Sequence, residues 1–97
     1  MPQQASPGYG ATKDQLLKRL SRVEGQIRGV ARMVEDDRYC IDVLTQISAV
    51  QAAVDKVALA LIDGHARTCV IGGHGPGTPE ERTDELMASL ARYLARR

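Results

Sequence analysis

Three side chains carry the sharpest chemical signal in this chain: Cys40, His65 and Cys69. Thiolate and imidazole are the donors that soft and borderline metal ions prefer. His65 and Cys69 stand four residues apart, the interval that puts two side chains on one helical face, a turn apart. Cys40 lies twenty-five residues upstream of His65. If the segment between them is one continuous helix, a rise of roughly 1.5 Å per residue separates the two by nearly 40 Å. The three then do not meet within one chain. They meet if the same helix of a second chain runs antiparallel and brings its Cys40 to this His65–Cys69 pair. The spacing therefore predicts a metal site across a dimer interface, where assembly and ligand binding are coupled.

Two soft sulfurs and one imidazole make a three-donor set suited to Cu(I), whereas structural Zn(II) usually takes four donors. The plainer alternative is a pair of packed core thiols, which residue type alone favours, since free Cys is among the most buried residue types. Around the set, Tyr39 either joins a core or hydrogen-bonds near the site. Glu85 falls in the first turns of a third helix, where the helix dipole favours an acid regardless of function. His74 sits in a glycine-rich loop and reads as solvated. No catalytic arrangement is recognisable: there is no Walker loop, G-x-S-x-G, H-E-x-x-H or C-x-x-C. The expectation is a protein that is not an enzyme.

Charge supplies the second signal. The net charge is only +1, yet residues 11–34 carry Lys13, Lys18, Arg19, Arg22, Arg28 and Arg32 against Asp14 and Glu24, for a local charge of +4. Residues 35–97 come to −3. A basic first helix on a nearly neutral protein is a candidate phosphate-binding surface, with a solvated helix face as the plainer alternative.

The elements that must position these groups read as three helices. Residues 1–11, rich in Gln, Gly, Pro and Ser, form an expected flexible tail, and residues 12–97 a single helical domain. Thr12-Lys13-Asp14-Gln15 fits a capping box. Leu16, Leu20, Val23, Ile27, Val30 and Val34 then repeat at spacings of three and four, an amphipathic helix with coiled-coil-like packing. Gly25 and Gly29 inside it suggest a close helix contact. It should stop around Glu35-Asp36-Asp37. A second helix should start near Arg38–Cys40, carry Leu44, Ile47, Val50, Val54, Val57 and Leu61, and pass Gly64 to hold His65 and Cys69. Gly72-Gly73-His74-Gly75-Pro76-Gly77 is a loop. Thr78-Pro79-Glu80-Glu81 starts a third helix with Leu86, Leu90, Tyr93 and Leu94 on its apolar face. No strand, repeat or helix–turn–helix module is evident.

Ninety-seven residues suggest one domain with a limited core, so oligomerisation would help to stabilise it. Trp and Phe are absent, and the small aliphatic residues suit close helix packing. No apolar run is long enough for a membrane span, and the N-terminal residues lack the pattern of a signal peptide. Two Cys in a reducing compartment point to metal, redox or packing roles ahead of a disulfide. The expected location is cytoplasmic.

The run Arg19-Leu20-Ser21-Arg22-Val23-Glu24-Gly25-Gln26-Ile27-Arg28-Gly29-Val30, followed by Arg32-Met33, resembles the first helix of the CsoR/RcnR/FrmR group of bacterial repressors. Tyr39-Cys40-Ile41-Asp42-Val43-Leu44-Thr45-Gln46-Ile47-Ser48-Ala49-Val50-Gln51 resembles the start of their second. The likeness spans about residues 12–94 and is most specific in its first half. It implies an all-α, three-helix protomer, an antiparallel dimer with a four-helix core, and a dimer of dimers that binds operator DNA without a helix–turn–helix.

Cys40, His65 and Cys69 match the pattern of the copper-sensing CsoR branch. Nickel and cobalt sensors add an N-terminal His, and the matching region around Gly8 holds no His, Cys or acid. The sulfur-sensing branch lacks the His, and formaldehyde-responsive members lack the second Cys. The resemblance makes Tyr39 and Glu85 the supporting pair around the ligands. It places Arg19 and Lys56 on DNA, with Lys18 and Arg22 beside them on the basic helix. Lys56 stands where some relatives have Arg, and Lys cannot reproduce Arg's bidentate fork. The expectation is a Cu(I)-responsive transcriptional repressor, a homotetramer that binds DNA when metal-free and releases it on Cu(I) binding. The alternatives are a persulfide or other thiol-reactive repressor using Cys40 and Cys69, and a copper-buffering protein without a DNA role.

Overall fold

In the computed structural model, which describes residues 9–95, three α-helices follow one another: α1 (Lys13–Glu35), α2 (Cys40–His65) and α3 (Pro79–Ala95). No strand is present among the described residues. Most of the expected tail, residues 1–8, lies outside the described residues, as do residues 96–97.

The chain divides into two compact units, one of them Thr12–Leu59. A 3-10 turn, Gly10–Thr12, leads into α1. Thr12 occupies the N-cap position with φ −115° and ψ 11° and makes no side-chain capping hydrogen bond. The expected capping box is therefore not formed: the 3-10 entry holds Thr12 away from the extended backbone that a capping side chain needs. At the other end the stop falls where the acidic run places it. Asp37 takes φ 56°. Its N–H donates to the Val34 carbonyl (3.1 Å), and the Arg38 N–H donates to the Met33 carbonyl (2.9 Å). These are the paired bonds of a Schellman ending, with Asp where Gly is usual.

Of the expected stripe on α1, Leu16 and Val23 are buried while Leu20, Ile27 and Val34 stand exposed. On α2 only Val57 is buried, and Leu44, Ile47, Val54 and Leu61 are exposed. The stripes are present, and among the described residues most of their large side chains stay exposed. Nor do the α1 glycines serve a contact here: a Cβ on Gly29 would meet nothing within 4 Å, and one on Gly25 only the Arg28 side chain.

The second unit runs from Ala60 through the end of α2 to α3. Past His65 the chain stays helical but widens into a π segment, Ala66–Ile71, where the Gly72 N–H bonds back to the Arg67 carbonyl at 2.9 Å. Thr68, Val70 and Ile71 are β-branched and disfavour a tight α turn. The π segment packs on α3. In α3, Leu86, Leu90 and Tyr93 are half-buried, whereas Leu94 is exposed. The expected cap at its start is formed in both directions: the Glu81 N–H donates to Thr78 Oγ1 (3.1 Å), and the Thr78 N–H donates to Glu81 Oε1 (2.7 Å). Hydrogen bonding of the ionised Glu81 carboxylate to Thr78, by the backbone N–H foremost and then the side chain, holds the Glu81 pKa below its ordinary value.

Candidate functional site

Of the expected metal ligands, Cys40 and His65 occupy the two ends of α2 and Cys69 lies in the π segment beyond it. Tyr39 directly precedes the helix and accepts a hydrogen bond from the Val43 N–H on its carbonyl (3.2 Å), while its side chain is exposed. Cys40 is the first helical residue and its thiol is exposed. His65 is the last α-helical residue and is half-buried. Cys69 rides on the π segment and is 5% exposed. The helix does carry both His65 and Cys69 past Gly64, but with a change of register between them. Single π turns occur often at functional sites. Among the described residues, no three His, Cys, Asp or Glu side chains form a metal-holding group within the chain.

His65 and Glu85 line one groove of about 260 Å³, together with Leu61, Ile62, Leu86 and Ser89. The α3 packing thus puts an acid and the imidazole on the walls of one groove, which is otherwise lined mostly by apolar side chains. A ligating His commonly gives its second ring N–H to such an acceptor. His74 is exposed, and its N–H donates to the Thr68 carbonyl at 3.1 Å.

A second groove, of about 360 Å³, lies between α1 and α2. Arg19, Arg22 and Gln26 line it from α1 and Lys56 from α2, over Ala49, Ala52 and Ala53. Three cations around a floor of small side chains suit an anionic chain passing close to the backbone. Lys18 is exposed on α1 but does not line this groove. Sequence reasoning missed Gln26, although it stands one turn beyond Arg22 and two beyond Arg19 on the same face. Ala49, Ala52 and Ala53 keep the groove open by presenting only methyl groups to it.

Residues 12–92 match the family described as metal-sensitive transcriptional repressors. The chain is 53% identical over 93 residues to the copper-sensing transcriptional repressor RicR of Mycobacterium tuberculosis, covering 93% of this chain and 96% of that one. Among solved structures, the copper-sensing repressor CsoR with Cu(I) from Geobacillus thermodenitrificans superposes with a TM-score of 0.77 at 41% identity, covering 97% of this chain and 93% of that one. The nickel-responsive transcriptional regulator InrS gives a TM-score of 0.70 at 40% identity, covering 82% of this chain and 90% of that one.

Proposed function

We propose that this chain, which belongs to the family of metal-sensitive transcriptional repressors, is a copper(I)-responsive member that binds operator DNA when metal-free and releases it on binding Cu(I). The observation that carries the reading is the 53% identity to a copper-sensing repressor along nearly its whole length. Since a nickel-responsive regulator shares the fold, the donors decide the metal. Two thiolates and one imidazole are a soft set that matches Cu(I).

In this reading Cys40, His65 and Cys69 are the ligands. Because α2 runs unbroken from Cys40 to His65, the Cys40 that completes a site comes from a second chain, in an antiparallel dimer. The exposed Leu44, Ile47, Val54 and Leu61 of α2 and Leu20 and Ile27 of α1 supply apolar surface for a four-helix core and for a dimer of dimers. Arg19, Arg22 and Lys56 hold DNA phosphates in their groove, flanked by Lys18. Tyr39 and Glu85 do not bind the metal themselves. Glu85 accepts from the second ring nitrogen of the ligating His65 and passes the bound state to α3. Cu(I) stabilises the arrangement in which these contacts exist, and that arrangement fits the operator less well. No helix among the described residues is long and apolar enough to cross a membrane; with its DNA partner, the protein acts in the cytoplasm.

The test is a Cu(I) titration with DNA binding followed in the same sample, on a duplex selected from a random pool by the metal-free protein. One equivalent per protomer should bind in three-coordinate form by X-ray absorption, and DNA should be released in step. Affinity should fall as pH drops, because the donors bind deprotonated. A four-coordinate metal, or unchanged copper binding in Cys40→Ala, would overturn the assignment.

A further inference from the structure

The glycine loop between the π segment and α3 folds back onto Cys69, and Arg82 of α3 holds it there. Gly75 takes φ +123°, a conformation that side-chain-bearing residues rarely adopt. A Cβ placed on it would lie 3.2 Å from Arg82 Cδ, 3.6 Å from Cys69 Cβ and 3.8 Å from Cys69 Sγ. Loop backbone, guanidinium stem and thiol therefore crowd around one point. Arg82 is 5% exposed. Its Nη1 donates to the Gly75 carbonyl (3.1 Å) and to the Gly77 carbonyl. Its Nε is buried with no hydrogen-bond partner. Burying a cation is costly unless it is hydrogen-bonded, and the two carbonyls supply acceptors for it. These bonds tie the two ends of a short glycine-rich stretch to the first turns of α3.

We propose that Arg82 is a positioning residue for Cys69: by holding the Gly75 and Gly77 carbonyls it clasps the loop across the thiol, which fixes Cys69 and shields it until the loop opens. That the clasp serves a copper ligand rests on the function proposed above; the clasp itself stands on the contacts alone. When Cu(I) is bound, its exchange at Cys69 should also pass through opening of this loop.

The experiment reads thiol accessibility in the metal-free protein. Cys40→Ser leaves Cys69 as the single thiol, and its modification by an aromatic disulfide reagent is followed by absorbance. Removing charge-assisted bonds from Arg82 should raise the population of the open loop, so Arg82→Met should react about tenfold faster. Arg82→Lys should fall between the two, because an ammonium keeps the charge but not the fork. Gly75→Ala should also react faster with Arg82 intact, which covers the case in which Arg82→Met fails to fold. Glu80→Gln, on the same helical turn, should match the parent. Circular dichroism shows whether the variants keep their helices.

A second reading, the rate at which a Cu(I) chelator withdraws copper from the chain with Cys40 restored, should rise in Arg82→Lys. Equal thiol rates in the parent, Arg82→Lys and Gly75→Ala would overturn the clasp, even if copper binds as expected. Faster thiol reaction in the variants of a chain that takes up no Cu(I) would support the clasp and remove the copper reading instead.

Discussion

The groove between α1 and α2 makes a quantitative claim about salt. Arg19, Arg22 and Lys56 line it together, and each cation that neutralises a DNA phosphate releases condensed counterions. The logarithm of the binding constant should then fall with the logarithm of salt concentration by about 0.9 per contact. Raising salt fourfold, from about 50 to about 200 mM, costs roughly 3.5-fold per contact, or about fortyfold for three contacts in each engaged protomer. Replacing all three residues by Ala should flatten the salt slope by about 2.7 per engaged protomer, and Lys56→Ala alone by about 0.9. The loss should be similar on operator and random duplexes, because phosphate contacts position the protein without reading bases. Fluorescence anisotropy across a salt series measures these slopes. Arg67 is an exposed cation held by Asp63 (2.9 Å) outside the groove, and Arg67→Ala should leave the slope unchanged. An unaltered slope in the triple variant would mean that this face is merely solvated and that DNA docks elsewhere.

Three further outcomes follow from local geometry. Glu85→Ala should bind Cu(I) nearly as the parent does yet remain on DNA, losing about 1–3 kcal/mol of coupling; full copper-driven release in an anisotropy assay would reduce Glu85 to an ordinary acid near a helix start. The Glu81 pKa is lowered by its bonds to Thr78, so its contribution is present above the ordinary carboxylate range and is lost as pH falls through the lowered value. Thermal melts should show a smaller acid-side loss in Glu81→Gln than in the parent. Asp37 holds a left-handed conformation, so Asp37→Gly should stabilise the chain by about 0.5–1 kcal/mol in urea unfolding, relief of strain outweighing the entropy of glycine; an unchanged midpoint would deny that the turn is strained.

What the sequence made legible was what local chemistry decides. Thr78-Pro79-Glu80-Glu81 encodes its own cap, and the Asp36-Asp37 pair marks a stop that needs no distant partner. Thr12 carries the same kind of signal, but a 3-10 turn ahead of it changes the backbone, and the motif goes unused. The π segment was illegible for a different reason: apolar periodicity cannot distinguish bonds to the fourth preceding residue from bonds to the fifth. Arg82 was hidden because a charged residue in the first turns of a helix normally reads as solvated, and only the returning glycine loop buries it. Glu85 came to notice through the family resemblance. Its place beside His65 depends on how α3 packs, which no local pattern states.

The placement of Lys56 and His65 on one unbroken helix bears on how a ligand could control DNA binding. In the proposed function α2 carries a cation of the DNA groove and, two and a half turns later, a metal ligand. A helix that serves both roles switches only if its alternative arrangements differ little in energy. The burial pattern favours that: within the chain, Val57 alone is buried along α2, so few interlocked side chains oppose a shift. A densely packed protomer would resist reorientation by more than a ligand can supply. A thinly packed one leaves the balance within reach of the few kcal/mol that differential ligand binding provides. The exposed apolar stripes are on this view part of the switch as well as of the assembly. Substitutions that bury more of α2 within its own chain should hold the repressor in one state, with or without copper.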